Sequence, residues 1–191
     1  MKKYSVLFLI ILVLSGLCGC ISNENSPNRS AIKNKDIEAR ILYHQITNDV
    51  NQLYLSTVFA GADAEEEYQK VALCETRDLV VDEMQEDRMI CSLCEEKGIL
   101  VSKKSAQQAA DTEYNRLKTN DSQKLYYKAL LDTLDDHKIS EEKYQDLLYD
   151  QAYYHYNRVT LKQYFINNLY VENDPRSLEE QFTQYLANNL K

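Results

Sequence analysis

The apolar residues of this chain recur mainly at helical spacing. The clearest pattern lies between about Asp63 and Lys97, where successive apolar residues are 7, 4, 7 and 3 positions apart. At about 100° per residue, this spacing keeps them within one narrow arc of a helix. The arc consists of Leu73, Val80, Met84, Cys91 and Cys94, widened by Ala72, Leu79 and Ile90. We therefore predict one long helix over 63–97 with a buried stripe, ended by Gly98.

Further helices are predicted from capping residues and from the scarcity of breakers. Four glycines and two prolines leave little material for tight β-turns, so the fold class is all-α. One helix is predicted to start near Asp36, with Thr47 as a cap for a helix reaching Phe59. The others are predicted over 103–118 with a Ser102 cap, from Ser122 to about His137, from Ser140 to about Tyr170, and from the Ser177–Glu180 capping box to the end of the chain.

The first twenty residues have a different pattern. Lys2 and Lys3 precede an apolar run from Val6 to Leu14, which is too short for a comfortable membrane span of roughly 20 residues. Leu17-Cys18-Gly19-Cys20 resembles the bacterial lipobox, which implies that Cys20 is lipidated and becomes the first mature residue. An ordinary cleaved signal or an uncleaved anchor are the alternatives. We expect a lipoprotein signal peptide over 1–19, a flexible tether over 20–35, and attachment by lipid to the outer face of a bacterial cell membrane.

The net charge limits the classes of binding partner, and the cysteine count bears on whether disulfides hold the fold together. The formal net charge is −8, and loss of Lys2 and Lys3 with the leader makes it −10, so the surface repels nucleic acid. Beyond Cys20 the chain has Cys74, Cys91 and Cys94, which is not the even number of a disulfide-stapled exported domain. We expect packing to hold the fold together.

Two segments resemble the N-terminal chaperone domain of SurA/PrsA-type foldases. The residues that carry the resemblance are Ile90, Cys94, Gly98, Ile99, Val101 and Ser102, followed by Ile139, Ser140 and Tyr144. Gln45-Ile46-Thr47 would be the remnant of that family's first strand. The resemblance implies a helical domain over 36–172, with a separate C-terminal helix over 173–191. Only 19 residues follow Glu172, so the parvulin isomerase domain that usually follows is not expected.

Few residues are candidates for chemistry. Cys91 and Cys94 form a C-x-x-C pair near the end of a helix, where the dipole opposes a thiolate, so core packing is favoured over a disulfide or a zinc site. We expect His155 to be a core histidine, on one face with Tyr144, Leu148, Val159, Ile166 and Leu169. The acidic runs 65–67 and 82–87 are interpreted as solvated helix faces rather than calcium sites. No active site, cofactor, metal or small-molecule substrate is predicted.

Tyrosine is unusually abundant, with fifteen residues against four phenylalanines. On the last long helix, four tyrosines lie about 120–200° round from Tyr144: Tyr149, Tyr153, Tyr156 and Tyr164. Either this second face is packed in the core, or it lines a groove that holds extended peptides. We predict a non-enzymatic, membrane-anchored protein that binds unfolded or secreted polypeptides. The alternative is an interaction subunit that docks one specific protein partner.

Overall fold

The structure is a computed structural model that describes residues 32–59 and 61–189. The predicted signal peptide, lipidation site and most of the tether lie outside the described residues. Within them, every regular element is a helix, and the fold class is all-α as predicted. The helices are α1 (Asn34–Val58), α2 (Ala62–Gln69), α3 (Arg77–Glu96), α4 (Lys103–Thr119), α5 (Lys124–Asp136), α6 (Glu141–Asn168) and α7 (Leu178–Asn189), with one 3₁₀ turn at Asp121–Gln123.

Helix α6 is the longest element and takes part in two hydrophobic clusters. Near its start, Tyr144 and Leu147 join a cluster with residues of α1, α4 and α5. Near its end, Leu161 and Phe165 pack with α3 and α7, where Phe182 lies 5.5 Å from Phe165 between ring centroids. A smaller cluster joins Ile37 of α1 to Val80 and Met84 of α3. The two ends of α6 are therefore fixed by different partners.

The predicted helix starts at Ser102, Ser140 and Ser177 are confirmed. The Ser102 Oγ accepts a hydrogen bond from the Ser105 N–H at 3.1 Å, and the Ser140 Oγ accepts one from the Lys143 N–H at 3.2 Å. Ser177 forms a complete capping box: its Oγ accepts the Glu180 N–H, and its own N–H donates to the Glu180 carboxylate. These bonds satisfy N–H groups that have no partner inside the helix.

Gly98 ends α3 as predicted. Its φ is 68°, in the left-handed region that costs glycine least, and the chain then passes through Ile99–Val101 to α4. The single long helix predicted over 63–97 is wrong, however. Helix α2 ends at Gln69, and the segment Lys70–Thr76 is not helical. Side chains of α1 bind the Leu73 N–H and the carbonyls of Leu73 and Cys74, so these three groups do not form helical bonds.

The break moves Ala72 and Leu73 off the predicted stripe, and Leu79 is exposed. Val80, Met84, Ile90 and Cys94 are buried as the spacing predicted.

The predicted cap at Thr47 is also wrong. Helix α1 begins at Asn34 and runs through Thr47, which is buried in its middle. Gln45–Thr47 is therefore helical, and the first strand implied by the resemblance does not form there. The helix start at Thr47 was predicted wrongly because a row of inward-facing positions of α1 is polar. Apolar residues therefore do not recur at helical spacing along the whole helix.

The predicted core face of α6 is only partly correct. Tyr144 is buried, but Val159 and Leu169 are 42% and 45% exposed. The buried residues instead include Leu147, Leu161 and Phe165, because the neighbouring helices change along α6. His155 is half-buried, with its ring 5.5 Å from that of Tyr156, and burial lowers its pKa.

Candidate functional site

The four candidate tyrosines of α6 share one side of the helix, which we call the tyrosine face (Tyr149, Tyr153, Tyr156 and Tyr164). At helical spacing they fall within an arc of about 80°. The structure leaves all four half-buried: none is in the core and none is fully exposed. The face is thus neither wholly core nor a free surface, and its rings keep partial access to solvent.

Neighbouring side chains fix the first two rings of the tyrosine face. The Tyr149 hydroxyl donates a hydrogen bond to Asp111 of α4, and this bond, together with burial, raises the pKa of Tyr149. The Tyr153 ring lies 5.3 Å from that of Tyr154 and 5.5 Å from the Lys103 ammonium. Burial, followed by the nearby Cys91, raises the pKa of Tyr153 to about 12. Both hydroxyls therefore stay neutral at physiological pH.

The same side of α6 carries no charge from Tyr149 to Asn167. Five residues on this side follow one another at spacings of 7, 4, 3 and 4 positions, and none of them is charged: Tyr149, Tyr156, Thr160, Gln163 and Asn167. Gln163 and Asn167 are exposed and bonded to each other at 2.9 Å. Aromatic rings offer apolar contact and amides offer hydrogen bonds, so this strip suits a ligand that presents both kinds of group, such as a polypeptide.

A second feature is a row of buried polar residues on α1, which we call the α1 polar stripe (Arg40, His44, Thr47, Asn48 and Asn51). Each is only 2–3% exposed. The pattern of apolar positions did not predict this stripe. Its signal is the spacing of 4, 3, 1 and 3, which is helical, but the residue types are those normally assigned to a surface.

Arg40 anchors the stripe to α3. Its guanidinium lies 2.5 Å from the Glu83 carboxylate and 3.0 Å from that of Asp87. It also lies 5.2 Å from the centre of the Tyr154 ring. Arg158 of α6 pairs with Asp87 at 3.2 Å, which makes this carboxylate a bridge between two buried or half-buried cations.

These contacts correct the interpretation of 82–87 as a solvated face, because Asp87 is only 5% exposed. Asp87 lies within about 20° of Val80 around α3, on the apolar stripe itself, and its burial follows from that position. Burial alone would raise the pKa of Glu83, but bonds to His44 and the charge of Arg40 outweigh it and lower the pKa.

His44 and Asn48 hold the segment Lys70–Thr76 by its backbone. The Asn48 amide accepts the Leu73 N–H at 2.7 Å and donates to the Leu73 carbonyl at 2.9 Å. The His44 Nδ1 lies 2.6 Å from the Cys74 carbonyl oxygen, so it carries the proton and donates. Asn48 also donates to the Glu75 carboxylate at 2.6 Å.

The three cysteines of the described chain are free thiols. Cys94 is fully buried as predicted, and its Sγ donates to the Asn157 carbonyl at 3.4 Å. Cys91 is half-buried and contacts Tyr153. Burial raises the pKa of both thiols to about 11, so both are protonated at neutral pH and weakly nucleophilic.

A search of the described residues finds no cluster of three or more histidine, cysteine, aspartate or glutamate side chains arranged to hold a metal ion. Over the same residues, no helix combines the length and apolar character needed to cross a membrane. No family model, curated protein or solved structure matches this chain. The molecule that these observations define is an all-α protein with a tyrosine face on α6 and a buried polar stripe on α1.

Proposed function

We propose that this protein is a lipid-anchored, extracytoplasmic lipoprotein that binds unfolded or extended polypeptides and performs no covalent chemistry. The binding surface is the tyrosine face of α6. The lipid is attached at Cys20 and holds the domain at the outer face of the membrane, which raises its local concentration where secreted chains emerge.

The observation that carries this proposal is the uncharged strip of half-buried tyrosines on α6. Half-buried rings supply apolar area without the cost of unfolding a core, and the amides beside them pair with peptide groups. Charged side chains of α4 lie beside these rings, with Asp111 bound to Tyr149 and Lys103 near Tyr153, so the surface offers both signs of charge to clients of varied sequence. The net charge of −10 that remains after loss of the leader makes copies of the domain repel one another, which opposes their association through the exposed rings.

The test is suppression of aggregation of a reduced, denatured client protein. The variant carries Tyr149→Ala, Tyr153→Ala and Tyr156→Ala. Its matched control carries Leu125→Ala and Leu131→Ala, which remove exposed apolar side chains from α5. We expect the tyrosine variant to lose most of its suppression while its melting temperature changes little, and the control to keep its suppression. Unfolding of the tyrosine variant, or equal suppression by all three proteins, contradicts the proposal.

Lipidation is tested separately by incorporation of labelled fatty acid. Cys20→Ala should abolish the label, because Leu17 and Gly19 place Cys20 where lipoprotein processing cuts. Cys18→Ala is the matched control and should keep the label. Unchanged label in the Cys20→Ala protein contradicts the anchor.

One observation favours the alternative, a subunit that docks a single folded partner. The hydroxyl of Tyr149 is tied to Asp111, and Tyr153 packs between Tyr154 and Lys103, so these rings are preorganised. Preorganised aromatic side chains are typical of specific interfaces. Competition separates the two functions: unrelated unfolded clients should displace one another from the tyrosine face, whereas a dedicated partner would not be displaced by them.

A further inference from the structure

We infer that the α1 polar stripe is a second polypeptide-binding site, which recognises the main chain of an extended segment. In the structure its occupant is the protein's own segment Lys70–Thr76. A client segment of the same backbone conformation exchanges with this occupant. The inference deepens the proposed function and rests on it for the class of ligand, an unfolded polypeptide.

The contacts that define the site are made to backbone atoms. Asn48 bonds both the N–H and the carbonyl of Leu73, and His44 bonds the carbonyl of Cys74. A residue whose N–H and C=O both reach one partner is extended, as in the hydrogen-bonded pairs of a β-ladder. The Asn48 amide thus replaces a neighbouring strand. These three bonds require extended backbone and do not depend on side-chain identity, and the side chain of the segment that the site also binds is that of Glu75, whose carboxylate accepts from Asn48 at 2.6 Å.

The stripe also has a donor that the present occupant does not use. Asn51 lies three residues after Asn48 on the same helix and is 2% exposed. Its Oδ1 accepts from the Tyr126 hydroxyl at 3.4 Å, but its Nδ2 has no hydrogen-bond partner among the described residues. A buried amide donor without an acceptor is costly, so this end of the stripe is not fully paired in the present arrangement.

Apart from the hydrogen bonds to α1, few contacts hold the segment Lys70–Thr76 in place. No residue of Lys70–Thr76 is buried, and α2, which precedes it, has no buried residue. Val71 and Leu73 are only partly buried where they pack against the hydrophobic cluster formed by α1, α4, α5 and the start of α6. The side-chain bonds from α1 are therefore a large share of what fixes the segment, and a competing backbone that makes the same bonds replaces it once its concentration exceeds the effective concentration of the tethered segment, which is on the order of millimolar.

The experiment uses the full chain and a synthetic peptide of residues 68–78 as the probe. Binding is followed by fluorescence anisotropy of the labelled peptide. Displacement is followed by hydrogen exchange of the protein's own segment 70–76, resolved by mass spectrometry. We expect saturable binding, with exchange of the segment accelerated about tenfold or more while exchange in α5 is unchanged.

A second probe carries an N-methyl group on the residue that corresponds to Leu73, which removes the N–H that Asn48 accepts. We expect it to bind about tenfold more weakly, while a probe with valine in place of that leucine binds as the parent does. In the protein, Asn48→Ala should weaken binding of the parent probe to a similar degree and speed exchange of the segment without probe.

Equal binding of the N-methylated and parent probes overturns the inference. So does an absence of binding to the wild-type protein, and this result needs no variant to fold. The tyrosine-face variant separates this inference from the proposed function. If this variant loses aggregation suppression but still exchanges its segment 70–76 for the peptide, both sites are supported. If it keeps aggregation suppression and does not bind the peptide, both proposals are contradicted.

Discussion

The α1 polar stripe and the tyrosine face of α6 reverse the usual distribution of side chains. The stripe places an arginine, a histidine, a threonine and two asparagines in the interior, each almost inaccessible to solvent. The tyrosine face leaves large aromatic rings half-buried on a strip that carries no charge. The difference indicates that stability depends on the α1 stripe, where a lost partner leaves a buried group unpaired, more than on the tyrosine face, whose rings keep partial access to solvent.

The largest effect is expected at Arg40. Arg40→Ala leaves Asp87 buried with one cation instead of two, and we expect a loss of about 3–5 kcal/mol in the free energy of unfolding. Chemical denaturation followed by circular dichroism measures it. Arg176→Ala is the matched control: it breaks an exposed ion pair with Asp174, and it should cost less than about 1 kcal/mol. Similar losses for the two variants would contradict a special role for the stripe.

A smaller loss is expected when Cys91 and Cys94 are both replaced by alanine. Cys94 fills space in the hydrophobic cluster of α3, α6 and α7, and Cys91 is half-buried beside Tyr153, so we expect about 1–3 kcal/mol less stability and unchanged client binding. Cys74→Ala, in the segment Lys70–Thr76, should cost less, because Cys74 is not buried. Stoichiometric zinc in the purified protein, or loss of binding without loss of fold, would show that packing is not the role of this pair.

The pH dependence of stability should report on Glu83 of α3, the carboxylate that pairs with Arg40 and His44 of the stripe. The folded-state pKa of Glu83 is lowered, because His44 and Arg40 outweigh the effect of burial. The resulting stabilisation is present above the ordinary glutamate pKa and is lost as the pH falls through the lowered value. We expect Glu83→Gln to melt below the wild type at pH 7, and the gap to narrow as the pH falls below about 4. A constant gap would mean that ionisation of Glu83 does not stabilise the fold.

The sequence predicted the helical class and the ends of several helices, because Ser102, Ser140, Ser177 and Gly98 act through local hydrogen bonds or backbone conformation. It did not predict the break at Lys70–Thr76. Nothing within that segment stops a helix, and the cause is two side chains of α1, Asn48 and His44, which are 25 and 30 residues away from the backbone groups that they bind.

The α1 polar stripe was missed for a related reason. Polar residues are buried where partners from other helices bind them, so a pattern of apolar positions along one helix does not predict their burial. Asp87 of α3 differs, since its place on the apolar stripe of that helix is visible in the spacing alone, although 82–87 was interpreted as a solvated face. The tyrosine face was located by spacing, but its degree of burial depended on which helices lie beside α6.

The most direct test of the tyrosine face is site-specific photo-crosslinking to a defined unfolded client. A photoreactive phenylalanine analogue replaces Tyr156 or Tyr164 in the full chain, and Leu125 of α5, which is 55% exposed, in the control. We predict strong crosslinking of the client from positions 156 and 164, reduced by an unlabelled second client, and little from position 125. Equal yields from the three positions would contradict binding at the tyrosine face.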